Sequence, residues 1–138
     1  VKPIARRKAR RIALQAIYQW QMTNDSIADI ELQYVTDNDP AVVDFDYFRD
    51  LLSGVASRLS ELDAKLADFV SRPFAEVDQI DKAILRLGAY ELMHRNDVPY
   101  RVVINEGIEL AKSFASDDSH KFINGVLDKL GNSLNRPG

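Results

Sequence analysis

Apolar residues recur at steps of three and four along nearly the whole chain, and no stretch alternates apolar with polar at period two. That spacing stacks apolar side chains on one face of a helix, whereas a half-buried strand needs strict alternation. Glycine is sparse, at six of 138 residues, and no β-hairpin is expected. The first helix is expected over about Ile4–Met22, with Pro3 near its first turn. Asn24-Asp25-Ser26 turns the chain and caps a short helix carrying Ile27, Ile30 and Tyr34, which Asp39-Pro40 ends. Phe48, Leu52, Val55, Leu59 and Leu62 then mark one core stripe, with a break near Ser57–Ser60 left open and an end by Ser71-Arg72-Pro73. From Asp78 to about Arg95, Ile80, Ile84 and Leu87 mark one apolar face and Leu85, Ala89 and Leu92 a second, as in a central helix. Pro99 interrupts the pattern, another helix spans about Val102–Phe114, and Asp117-Asp118-Ser119 caps a last one through Leu130. The expectation is one compact all-α domain, 1–138, of about seven helices, with an N-terminal and a C-terminal half.

Composition excludes several functions. There are no cysteines, so disulfide scaffolds, Cys-based zinc sites and thiol nucleophiles drop out. No apolar run approaches ~18 residues, and no apolar segment follows the basic start as a secretory signal requires. A cytosolic protein with no membrane association is expected. His94 and His120 are the only histidines and lack a metal-ligand spacing, and no GxSxG, P-loop or GxGxxG is present. Glu91, Glu106 and Glu109 fit structural pairing, for example with Arg86, better than acid–base work. The expectation is no enzyme and no cofactor.

The modest net charge of −3 hides a strong polarity. Lys2, Arg6, Arg7, Lys8, Arg10 and Arg11 crowd the first eleven residues, which contain no acid, so the remainder carries −9. Between 25 and 50 lie eight acids against the single base Arg49. Two surfaces with different partners would produce this, and so would a solubilising charge distribution. At 100° per residue, Ala9, Ala13, Ala16 and Trp20 form the buried stripe of the first helix. Arg7, Arg11, Gln15 and Tyr18 share the opposite side, flanked by Lys8 and Arg10. Cations suit phosphates and a flat π-face suits an unstacked base, so this side fits single-stranded RNA. The alternative is that Tyr18 packs on a neighbouring helix and the arginines are merely solvated. Four phosphate contacts on a single strand give a salt slope of roughly −3, which is weak binding without a second protein.

A second constellation opens the last helix. Ile123, Val126, Leu127 and Leu130 form its stripe, which leaves Phe122 at the stripe's edge beside Lys121. Asp118 either caps the helix or accepts a hydrogen bond from a base edge or a 2′-OH.

Five segments carry a resemblance over essentially the whole chain. They are Ala13-Leu14-Gln15-Ala16-Ile17-Tyr18 after the Arg-rich start; Leu85-Arg86-Leu87-Gly88-Ala89-Tyr90-Glu91-Leu92; Asp97-Val98-Pro99-Tyr100-Arg101-Val102-Val103-Ile104-Asn105-Glu106; Glu109-Leu110-Ala111-Lys112; and Phe122-Ile123-Asn124-Gly125-Val126-Leu127-Asp128. In order and spacing they resemble the NusB family of transcription antitermination factors. The resemblance implies an all-helical fold of two small bundles and a role in processive antitermination of ribosomal RNA operons. It also implies binding of boxA single-stranded RNA together with NusE, a small-subunit ribosomal protein, and assembly with RNA polymerase and other Nus factors. Carried over by position, Lys2, Arg6, Arg7, Arg10 and Tyr18 would contact RNA, as would Asp118, Lys121 and Phe122. Glu76 and Asp81 would face NusE. Asp81 stands where close relatives are expected to carry Glu, and Val1 where an initiator Met is expected. A similar helical domain occurs fused to a ribosomal RNA cytosine methyltransferase, and that accessory role is the competing expectation; with these 138 residues no cofactor-binding α/β domain is expected. A helix-turn-helix DNA binder is the third class, and it would prefer duplex to single strands.

Overall fold

The computed structural model describes residues 3–135, which form seven α-helices and one short 3-10 turn. The helices are α1 (Pro3–Thr23), α2 (Ile27–Asp37), α3 (Phe45–Ser57), α4 (Leu59–Ala67), α5 (Gln79–His94), α6 (Tyr100–Phe114) and α7 (Ser119–Ser133), with the 3-10 turn at Phe74–Glu76. No strand occurs among the described residues. The chain divides into two compact units, Val1–Ser57 and Arg58–Gly138.

In the first unit α1 packs on α3 and α2, and α2 on α3. The small side chains of Ala9, Ala13 and Ala16 are fully buried, as their spacing predicts, and let the helices approach. Ile12, Leu14 and Ile17 widen that buried face and meet a core built on Ile30, Phe48, Leu51, Leu52 and Val55. Each large apolar side chain so enclosed contributes roughly 1.5–3 kcal/mol. Trp20 is only half-buried, because the stripe runs off the core at the last turn of α1. There Asn24 adopts φ 57° and donates its N–H to Trp20 O at 2.8 Å, a left-handed helix stop that asparagine tolerates. Ser26 caps α2 by accepting from Asp29 N–H at 3.3 Å, and Asp44 caps α3 by accepting from Tyr47 N–H at 3.1 Å.

In the second unit α5 packs on α4, α6 and α7. Every residue from 81 to 92 is buried, so this is the central helix its two apolar faces predict. Glycines on α5 and α6 make room for α7: a Cβ on Gly88 would stand 2.8 Å from Leu127 Cδ1, and one on Gly107 3.0 Å from it. The helix predicted across 48–62 divides into α3 and α4 at Arg58, inside the stretch Ser57–Ser60 where a break was left open. Asp63 binds Arg86 through both guanidinium edges, Nε to Oδ1 and Nη2 to Oδ2, each at 2.8 Å, and so ties α4 to α5. Asn124-Gly125, a dipeptide that favours hairpin turns, lies inside α7, where Ile123, Val126, Leu127 and Leu130 supply a helical core stripe instead.

Candidate nucleic-acid interface

In the first unit the outward side of α1 has the make-up its periodicity predicts. Arg7, Lys8, Arg11 and Gln15 are exposed, and Tyr18 keeps 37% of its surface open. Gln15 donates from Nε2 to Arg11 O at 3.3 Å, which holds its amide along the helix. Cations and a flat ring thus stand on one side of one rigid element.

Two arginines depart from that picture. Arg10, expected to flank the exposed side, is only 4% exposed. Its guanidinium lies 5.3 Å from the centroid of the buried Tyr47 ring, and Nη2 donates to the Tyr47 hydroxyl at 3.5 Å. Burial under α3 takes it off the accessible surface, so a contact with RNA requires it to leave Tyr47. Arg6 is half-buried over the same ring, 4.2 Å from the centroid, with Nε 3.8 Å from Asp44 Oδ2. A ring that accepts two cations lowers their desolvation cost, because its negative face replaces part of the lost hydration. Lys2 lies outside the described residues.

In the second unit Asp118 and Lys121 are exposed at the start of α7, and Phe122 is half-buried as its edge position predicts. The Asp118 side chain makes no capping bond, so α7 begins without occupying that carboxylate. Phe122 carries the Arg72 guanidinium 5.0 Å from its ring centroid. Beside it opens a cavity of about 380 Å³ lined by Asp68, Phe69, Val70, Ser71, Lys121, Phe122, Gly125, Val126 and Lys129. Sequence reasoning missed this cavity, since Ser71-Arg72-Pro73 reads only as a helix terminator. The adjacent Phe69-Val70 was the available signal, two large apolar residues at the end of a helix.

The two acids assigned to a protein partner part company. Glu76 is exposed on the 3-10 turn, whose Ala75 carbonyl accepts from Lys82 Nζ at 3.0 Å. Asp81 is 6% exposed and accepts from Ser119 Oγ at 3.3 Å, while its Oδ1 is buried without a hydrogen-bond partner. Burial pushes its carboxyl above the ordinary carboxylate range, the Asp78 charge adds to this, and the Ser119 bond and Arg72 oppose it. Asp81 is therefore an interior residue of α5, bonded to the first residue of α7 and enclosed rather than on the exposed surface where it was expected. The reason is that α5 is enclosed on all sides, including the side where charge suggested solvent. No group of three potential metal ligands gathers among the described residues, and none of their helices is long and apolar enough to cross a membrane.

The described residues thus define an all-α protein whose exposed cations and accessible aromatic rings suit a polyanionic, base-bearing ligand. The chain belongs to the NusB family, whose model matches residues 7–132. It is 64% identical over 136 residues to the transcription antitermination protein NusB of Aeromonas hydrophila, covering 99% of both chains. The protein of the same name from Photorhabdus laumondii is 56% identical over 136 residues, again with 99% of each covered. Among solved structures, T. maritima NusB superposes with a TM-score of 0.81 at 28% identity, over 91% of this chain and 89% of that one. A crystal structure of antitermination factors NusB and NusE in complex with dsRNA gives a TM-score of 0.82 at 22% identity, over 92% and 96%, a likeness of fold.

Proposed function

We propose that the chain is a transcription antitermination factor, an adaptor that performs no chemistry of its own. It binds the boxA element of ribosomal RNA operon transcripts together with NusE and joins the RNA polymerase complex with other Nus factors in the cytosol. Residues 1–138 serve as one RNA-binding domain, each compact unit bringing its own contacts. On α1, Arg7 meets phosphate and Tyr18 stacks on a base, with Lys2 extending the basic run and Arg6 adding its charge from beside Tyr47. On α7, Lys121 and Phe122 offer a second cation and ring, and Asp118 accepts from a base edge or 2′-OH. Glu76 is the exposed acid that suits a basic ribosomal protein.

The observation that carries this reading is Tyr18, which keeps 37% of its surface open beside exposed Arg7 and Arg11. A core tyrosine would be enclosed, and a ring left among cations is what an unstacked base requires. Near-complete coverage of relatives named as antitermination proteins supports it. The test is the affinity for a boxA single-stranded RNA, a scrambled strand and a duplex, each with and without NusE. NusE should tighten boxA binding more than scrambled binding, and single strand should outcompete duplex. Independent binding of NusE and RNA would reject the adaptor role, and preference for duplex would reject the base-stacking role of Tyr18.

A further inference from the structure

Helix α2 carries two apolar sectors, and the first unit uses one. At 100° per residue, Ile27, Ile30 and Tyr34 fall within about 60° of one another. This sector meets the core: Ile30 is 1% exposed, and the ring centroids of Tyr34 and Phe48 lie 6.0 Å apart. Ala28, Leu32 and Val35, spaced i, i+4 and i+7, share a second sector of about 60°, centred roughly 140° from the first. That sector is open. Ala28 is exposed, Leu32 is 66% exposed and Val35 is half-buried. A helix that only had to close a core needs one apolar stripe with polar residues outside it. Ile30 is the one buried residue among the eleven of α2, so most of the helix surface is available to a partner.

The charges around this sector state what it can receive. No lysine or arginine occurs between Arg11 and Arg49, while seven acids do. Four of them are engaged within the unit: Glu31 and Asp46 beside Arg49, Asp44 as the cap of α3 facing Arg6, and Asp39 accepting from Ala41 N–H. Asp25, Asp29 and Asp37 stay exposed and enter no ion pair among the described residues. Asp25 and Asp29 mark the start of α2 and Asp37 is its last residue, so carboxylates stand before and after Leu32 along the helix. Such a face repels polyanions, which excludes RNA and an anionic lipid surface. A second copy docked by two-fold symmetry would set these acids against themselves. The complementary occupant is a polypeptide with lysine or arginine on either side of an apolar side chain.

We propose that the outward face of α2 docks a cationic segment of a partner protein, with its apolar side chain on Leu32 and its flanking cations on Asp25, Asp29 and Asp37. This goes beyond the RNA-binding reading: the basic side of α1 takes a transcript, and the acidic side of α2 takes protein.

The experiment titrates the full, isotope-labelled chain with three synthetic helical peptides. One carries leucines at i, i+4 and i+7 flanked by lysines, the second has glutamate for lysine, and the third has serine for leucine. The lysine–leucine peptide should shift the amide signals of residues 25–37 and bind at least about tenfold tighter than either of the others. Leu32→Ser changes an exposed side chain, and circular dichroism should show it folded. It should weaken that peptide about tenfold, the effect of withdrawing one leucine from burial. Asp29→Asn leaves the apolar sector intact and should weaken the peptide about threefold while flattening its salt dependence. Both variants should bind boxA RNA as the unsubstituted chain does, so the fate of the RNA-binding reading is scored separately. Equal affinity for the lysine and glutamate peptides, binding unchanged in both variants, or shifts confined to other helices would overturn the proposal. Self-association of the chain alone in sedimentation, lost in Leu32→Ser, would assign the face to a second copy and overturn it as well.

Discussion

Arg10→Ala and Arg7→Ala should separate stability from binding within one turn of one helix. Arg10 is 4% exposed, sits 5.3 Å from the Tyr47 centroid and donates to the Tyr47 hydroxyl at 3.5 Å. A desolvated cation–π contact is worth about 1–2 kcal/mol, and a hydrogen bond this long adds at most ~0.5 kcal/mol. The buried aliphatic stem contributes a further ~1 kcal/mol, so Arg10→Ala should cost about 3 kcal/mol. With a urea dependence of about 1–3 kcal/mol per molar, that lowers the unfolding midpoint by roughly 1–3 M. Trp20 is the only tryptophan and lies on α1, so its fluorescence reports this unit selectively. Arg7 is exposed, and its removal should leave stability within ~0.5 kcal/mol. In RNA binding the order reverses: Arg7→Ala should flatten the dependence of log affinity on log salt by about 0.7, one phosphate on a single strand. Arg10→Ala, assayed below its transition, should leave that slope alone. An unchanged midpoint for Arg10→Ala with a flattened slope would show that Arg10 leaves Tyr47 to grip the transcript, and the burial argument would fail.

Tyr18→Asp should weaken RNA binding about tenfold or more, replacing a stack with a like charge, while the fold signal stays native; an unchanged dissociation constant removes Tyr18 from the interface. Two glycines of α7 should respond in opposite directions to alanine. Gly131→Ala forces a methyl into the Tyr100 ring, whose hydroxyl donates to Asp128, and should cost about 1–3 kcal/mol, whereas Gly125→Ala should gain about 0.5–1 kcal/mol in thermal unfolding. Asp81→Asn should stabilise the protein at pH 7. The folded carboxyl titrates above its unfolded value near 4, so its neutral form is favoured below that value and the advantage is lost as pH rises through the folded pKa. Denaturation midpoints of the variant and parent should therefore converge below about pH 4, and a gap that persists there would contradict burial as the cause.

Local spacing made most of the fold legible. The alanine stripe of α1 and the two apolar faces of α5 rest on near-neighbour periodicity, which a single sequence displays. Where a polar side chain goes depends on partners far along the chain, and there the reading faltered. Arg10 falls beside the exposed sector of α1 by angle, yet Tyr47, 37 residues away, draws it inside. Arg86 binds Asp63, 23 residues back on α4, a pairing that the pattern of its own helix does not display. Asp81 was legible in principle. A helix apolar on two opposed sides leaves little room for an exposed face, so polar residues between 81 and 92 were bound to be enclosed. Of the proposed RNA contacts, Tyr18, Arg7, Lys121 and Phe122 were read from their own helices and lie at accessible positions. The cavity needed the packing of residues 68–71 against α7 and had no local signature beyond Phe69-Val70.

The acid-rich stretch 25–50 suggested a second docking surface, but much of it serves the first unit internally. Asp44 caps α3 and faces Arg6, Asp39 accepts from Ala41 N–H at 2.9 Å, and Glu31 and Asp46 each stand 3.7 Å from Arg49. The exposed pairs at Arg49 add no more than about 1 kcal/mol each. The larger consequence of these acids is electrostatic, since they offset part of the charge of Arg6 and Arg49, while Arg7, Lys8 and Arg11 stay exposed on the outward side of α1. Three phosphates on a single strand give a salt slope near −2, and Lys121 with Lys129 would bring it to about −3.5. Phosphate contacts alone at that number bind weakly and read no sequence, so discrimination falls to the stacked bases, at about 1–3 kcal/mol for each ring. Affinity for boxA should accordingly decline shallowly with salt while preference over a scrambled strand stays nearly constant. A slope steeper than about −5, with preference collapsing as salt rises, would mean that charge rather than the rings reads the transcript.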